Sequence, residues 1–155
     1  MAANDMRSVA SLFMILNFAM YATLLGLCGW AMNRAIDLGF VIGPGLELPA
    51  HFSPIYFPMG NAATGFFVVF SLIAGVVGVA STIAGFDFIR SWNSEGRPGA
   101  ASAAVIAWAL TLLSMGFAWK EIELHDGRND TLIAMEAFSI ILSITQFLYT
   151  VVLYG

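Results

Sequence analysis

Residues 64–86 read TGFFVVFSLIAGVVGVASTIAGF, an apolar run without one Asp, Glu, Lys or Arg. A helix needs about 17–25 such residues to cross the hydrocarbon of a bilayer, so this stretch is long enough to be a span. Three further apolar runs lie at 8–32, 101–119 and 132–154, the last carrying one acid, Glu136, and short polar stretches separate them. The expected fold is therefore all-α: residues 1–155 as one membrane domain, a bundle of four transmembrane helices.

Composition agrees with that reading. Of the 155 residues 59% are hydrophobic and 10% charged, whereas soluble domains carry about 25% charged residues. A soluble fold would lack the charge to cover itself, so the expected partner is membrane lipid. Six scattered basic residues against a net charge of −4 offer no cluster for phosphates, and no nucleic-acid partner is expected. The single Cys28 permits no internal disulfide and no four-ligand zinc site. Leu25-Gly26-Leu27-Cys28 comes near a lipoprotein cleavage box, but Leu27 stands where a small residue belongs, and a buried thiol is expected instead. The first run also exceeds the 7–15-residue core of a secretory signal, so it should remain as a span.

Four spans place both termini and the loop 87–100 on one side, and the loops 33–63 and 120–131 on the other. Arg7, Arg90 and Arg97 then face Arg34, Lys120 and Arg128, a tie under the positive-inside rule. The expectation taken forward is a cytoplasmic N-terminus. In the loop 33–63, Gly43-Pro44-Gly45, Pro49, Pro54 and Pro58 break regular structure. Phe40, Ile42, Phe52, Ile55 and Phe57 make this Pro-rich loop unusually apolar. Two readings stand: a cap folded back on the bundle, or an interfacial loop that only closes it. Trp30, Trp92, Trp119 and Tyr154 fall near span ends, as an aromatic belt requires, while Trp108 lies inside the third run and is expected to pack.

Advancing 100° per residue, Ser71, Gly75, Gly78, Thr82 and Gly85 form one small face on the second span. Ala107, Thr111, Ser114 and Ala118 repeat the spacing on the third, and Ala22, Gly26 and Gly29 form a shorter version on the first. Small faces let helix backbones approach closely in lipid, and their four-then-three rhythm fits a left-handed bundle. They are expected to pack the helices; a sliding interface for alternating access is the other reading.

The fourth span differs, because Glu136, Ser139, Ser143, Gln146 and Thr150 make a polar stripe along most of its length. A carboxylate at membrane depth costs several kcal/mol if charged and unpaired, so Glu136 should face protein or water, or be protonated, with Asn17 as the interior partner expected for it. Either the stripe fixes packing near the headgroups or it lines a path for substrate or protons. No catalytic constellation is evident, and an enzyme is not expected. Glu121, Glu123, His125 and Asp126 match no metal motif and read as a solvated acidic loop, so neither metal nor cofactor is expected.

LNFAMYATLLGLCGWAMNRAID (16–37), FPMGNAATGFFVVFSLIAGVVGVAST (57–82), AASAAVIAWALTLLSMGFAWKEIEL (100–124) and EAFSIILSITQFLYTVVLYG (136–155) resemble the plant family named for an abscisic-acid-induced wheat plasma membrane polypeptide (AWPM-like). The likeness covers almost the whole chain. It implies a four-span plant plasma-membrane protein tied to abscisic acid, dehydration, cold tolerance and seed maturation, and for some members carriage of abscisic acid into cells. It brings no catalytic or binding signature to carry over.

Two functions follow as expectations. A carrier for abscisic acid, an apolar ring compound with one carboxylate, would take the neutral acid along Asn17, Ser143 and Gln146, with Glu136 as proton partner or as hydrogen-bond acceptor for the protonated acid. Arg34, Lys120 and Arg128 would gather the anion at the outer mouth. One bundle of 155 residues leaves little room for two gates, so transport would call for a homo-oligomer. The alternative is a non-transporting scaffold that stabilises the membrane or a partner complex under stress.

Overall fold

The computed structural model describes residues 2–38, 57–92 and 95–155, with side chains from residue 4 onward. Those residues form four helices: α1 (Ala2–Leu38), α2 (Thr64–Ser91), α3 (Arg97–Leu124) and α4 (Asp130–Tyr154). Each is long and apolar enough to cross a membrane. All four extend beyond the apolar runs, which shortens the polar connections; α3 and α4 are joined by residues 125–129 alone. At 1.5 Å per residue α1 is about 55 Å long, well beyond the ~30 Å of hydrocarbon, so its ends reach past the bilayer core.

Local chemistry sets the helix ends. Asn129 takes an extended conformation at the start of α4 and its Oδ1 accepts from the Leu132 amide at 2.9 Å, as an N-cap does. Pro98 sits in the first turn of α3, where its missing N–H costs nothing. Gly127 holds φ +70°, and a Cβ there would overlap the Gly60 carbonyl. The connection between α3 and α4 thus lies directly against the entry to α2.

The helices form a ring: α1 packs on α2 and α4, and α3 packs on α2 and α4. Large side chains cross the middle of it. Tyr21, Leu24, Phe67, Leu132 and Leu142 are fully buried, and Cys28 is a buried thiol in the same cluster. Outward the bundle is apolar, with Leu12, Ile15, Ile36, Ile83 and Ile144 more than half exposed. Buried inside are Asn17, Ser71, Thr111, Ser114, Glu121, Glu136 and Gln146. Apolar exterior and polar interior suit lipid as solvent, because there a polar group is satisfied only by other protein groups.

The α2 face is buried throughout: a Cβ on Gly75 would stand 2.8 Å from Leu25, and on Gly78 and Gly85 it would overlap the Tyr21 ring and the Tyr149 hydroxyl. The α1 face is a correction. Gly26 and Gly29 have open space where a Cβ would stand, and with Ala22 they are exposed. At 100° per residue they lie about 120–180° around α1 from Asn17. One helix cannot turn both faces inward, and the face of Asn17, Tyr21, Leu24 and Cys28 is the buried one. Most of the Pro-rich loop, 39–56, and with it the expected cap, lies outside the described residues; Phe57 and Met59 at its end pack against the core.

Trp108 packs as expected. Its Nε1 donates to the Ser143 carbonyl at 3.0 Å and its ring lies 5.2 Å from Phe147. Trp30, Trp119 and Tyr154 are exposed.

Candidate functional site

A column of polar side chains runs through the ring, level by level. At the end where α2 begins and α3 finishes, the Thr64 hydroxyl donates to Glu121 Oε1 at 2.7 Å. Asn61 clamps the same place: its Nδ2 donates to the carbonyls of Glu121 and Asp126, both at 3.2 Å, and its Oδ1 accepts from the Ala63 amide at 2.9 Å. Beside them Arg128 grips Glu136 through Nε–H to Oε1 at 2.8 Å and Nη2–H to Oε2. The Glu136 side chain is 3% exposed and that of Arg128 22%. This bidentate pair plugs the column from the α3–α4 connection. Donating to the Glu136 carboxylate pushes Arg128 up from its already high range, so the guanidinium stays charged.

Further in, the hydroxyls of Ser71 and Ser114 lie 2.6 Å apart and those of Ser114 and Ser139 3.2 Å apart, joining α2, α3 and α4. Next comes a bond across the ring, Tyr21 to Thr111 at 2.7 Å. Asn17 Nδ2 then donates to Gln146 Oε1 at 2.9 Å, and Gln146 Nε2 to the Ala104 carbonyl at 3.3 Å. Tyr149 closes the sequence. Its hydroxyl, Asn17 Oδ1 and Glu121 Oε2 are buried with no hydrogen-bond partner among the described residues. Such groups are costly in a low-dielectric interior, and they give the column its spare acceptors.

The residues singled out from sequence divide in two. Glu136, Ser139, Gln146 and Asn17 enter the column. Ser143 and Thr150 are buried on the same stripe, but their hydroxyls donate to their own helix, to Ile140 at 2.6 Å and Gln146 at 2.8 Å. The expected pairing of Asn17 with Glu136 is corrected: Asn17 meets Gln146, and Arg128 meets Glu136. Antiparallel packing is the reason. Asn17 lies partway down α1 from its N-terminus, level with the C-terminal half of α4, while Glu136 is about 15 Å away along α4.

Arg128 is consequently engaged with Glu136 and does not stand open to solvent as an anion collector. Lys120 pairs with exposed Glu123 at 2.9 Å, and Arg34 is exposed on α1. Glu121, expected in a solvated acidic loop, is instead fully buried on the last turn of α3. The signal was present, because Glu121 continues the face of Thr111, Ser114 and Ala118 by one more step of three. Thr64 likewise continues the face of Ser71 on α2.

Comparisons with known proteins place the chain. A family model for the AWPM-19-like family matches residues 15–155. A rice protein (Oryza sativa subsp. japonica) described as "Membrane protein PM19L" is 39% identical over 149 residues, covering 96% of this chain and 79% of the rice protein. No solved structure matches. Four apolar helices around a polar interior, a family match over nearly the whole chain and a membrane-protein relative agree: the chain is a membrane protein belonging to the AWPM-19-like family.

Proposed function

We propose that the chain is a carrier or facilitator of abscisic acid uptake in the plant plasma membrane, acting in dehydration and cold responses, with both termini in the cytoplasm. The observation that carries this reading is the Arg128–Glu136 pair at the head of the polar column. A carboxylate cargo presents Arg128 with the same two oxygens as Glu136, and bidentate Arg–carboxylate bonding is strong and directional. Exchange of one carboxylate for the other admits the cargo, provided Glu136 takes a proton as it lets go. Anion and proton then enter together, the equivalent of the neutral acid. Glu121, with Oε2 unpartnered, is a second acid at the same end.

The column is closed by Tyr21 and Tyr149, both fully buried, so passage requires the helices to part. Interhelical hydrogen bonds in membranes average only about 0.6 kcal/mol, which leaves the column openable. The second reading, a non-transporting scaffold that stabilises the membrane or a partner complex under stress, is supported by the close backbone approaches at Gly75, Gly78 and Gly85.

Uptake of labelled abscisic acid into proteoliposomes holding only this protein separates the two. Expected is saturable uptake above empty vesicles that falls when an imposed proton gradient is collapsed and falls again in Glu136→Gln. No uptake above empty vesicles sinks the carrier. Recovery of a stable partner from detergent then becomes the result the scaffold requires. A cysteine introduced at Asp126 should label from outside; labelling only from the cytoplasmic side reverses the proposed orientation.

A further inference from the structure

A groove of about 340 Å³ lies between α1 and α2, lined by Met14, Ile15, Phe18, Thr82, Ile83 and Phe86. Its lining is apolar: the Thr82 hydroxyl donates to the Val79 carbonyl of its own helix at 2.8 Å. The groove lies outside the column and takes no part in the exchange at Arg128. Two cations stand at its end. Arg90 is one turn beyond Phe86 on the same side of α2, and Arg7 is two turns before Met14 on the same side of α1. The helical rise puts them about 6 Å and 10 Å beyond those lining residues, toward the membrane surface. They are drawn together, since Arg7 Nη2 donates to the Arg90 carbonyl at 3.0 Å across the α1–α2 seam.

Among the described residues, the ion pairs are Lys120–Glu123 and Arg128–Glu136, and neither involves Arg7 or Arg90. Three acidic side chains share this boundary: Asp5 points about 160° around α1 from Arg7, Asp87 lies beyond Ile83 at the far edge of the groove face, and Glu95 is exposed in the connection after α2; none of them forms an ion pair with Arg7 or Arg90. Two exposed guanidinia without an ion pair, one of them spending a single N–H on the Arg90 carbonyl, stand above an apolar slot in a membrane-spanning bundle and complement one chemistry, a negatively charged headgroup carried on an acyl chain. We infer that the α1–α2 seam is a binding site for an anionic phospholipid, its phosphate held by Arg7 and Arg90 and an acyl chain lying along Met14, Phe18 and Phe86.

The test uses the full chain in nanodiscs of phosphatidylcholine and phosphatidylglycerol with matched acyl chains, followed by native mass spectrometry of the lipids retained. Phosphatidylglycerol should be retained over phosphatidylcholine by about 30-fold, since each basic residue at the surface contributes about fivefold. The preference should vanish in the double variant Arg7→Gln/Arg90→Gln and persist in Arg97→Gln, which is not on the seam. Both Arg residues are exposed, so the double variant is expected to fold, and its unfolding curve in detergent verifies that. A photoreactive benzoylphenylalanine at Phe18 should attach to lipid. Equal retention of the two lipids, an unchanged preference in the double variant, or attachment at position 18 to a second copy of the chain would each overturn the site.

Discussion

The two ends of the bundle use their charges in opposite ways. At the end where α3 meets α4, cations and acids close on one another: Arg128 holds Glu136, Asn61 ties α2 to the end of α3, and Thr64 caps the buried Glu121. At the end that carries the termini, Arg7 and Arg90 meet no acid among the described residues and flank an apolar groove. A tie of three cations against three in the sequence thus becomes an imbalance in the fold. One end turns its cation inward onto a buried carboxylate, and the other leaves its cations at the surface.

Arg128→Ala should have the largest effect. It leaves Glu136 buried without its cation, and breaking a buried pair costs about 3–5 kcal/mol. Because the Arg side chain is 22% exposed, about 3 kcal/mol is expected, read as loss of unfolding free energy in mixed detergent–SDS micelles. A cost below about 1 kcal/mol would mean that the closed end is no more buried than the open one. Gly78→Ala comes next, at about 2 kcal/mol by the same titration, because the added methyl overlaps the Tyr21 ring. Gly26→Ala is its control; it meets open space and should leave stability unchanged or raise it by up to about 1 kcal/mol. A loss there would place the α1 face against a second copy of the chain.

Asn61→Ala removes one bond into α3, one into the α3–α4 connection and a turn bond before α2, and about 1 kcal/mol is expected. Amide hydrogen exchange should rise first at the start of α2 and the end of α3; a uniform rise along all four helices would contradict the local clamp. Smallest is the effect of Arg7→Gln with Arg90→Gln, which should leave the unfolding midpoint unmoved in neutral detergent. A clear loss there would mean that the open end is braced by these cations.

The four helices were legible because lipid demands length and apolarity, and both can be counted in the sequence. Register was harder. Counting inward from opposite ends of antiparallel spans pairs Asn17 with Gln146, whereas a buried carboxylate in want of an interior partner points to Asn17 with Glu136. Glu121 was hidden by ending the third run at Trp119, although its spacing continued the buried face. The small face of α1 misleads because Gly26 and Gly29 have the spacing of an interface without its direction; Asn17 on the same helix points the other way. What sequence could not show is that Arg128, outside any span, reaches back over Glu136. That contact depends on the fold of the short α3–α4 connection, where Gly127 lies against Gly60.

The most direct measurement is equilibrium binding of labelled abscisic acid to the purified protein in detergent, with Arg128→Gln, Arg128→Lys and Arg34→Gln beside the unaltered chain. Saturable binding is expected, weakened at least about tenfold in Arg128→Gln, partly kept in Arg128→Lys, which retains the charge without the fork, and unchanged in Arg34→Gln. Binding of equal strength in the unaltered chain and Arg128→Gln would contradict carboxylate exchange at the head of the column.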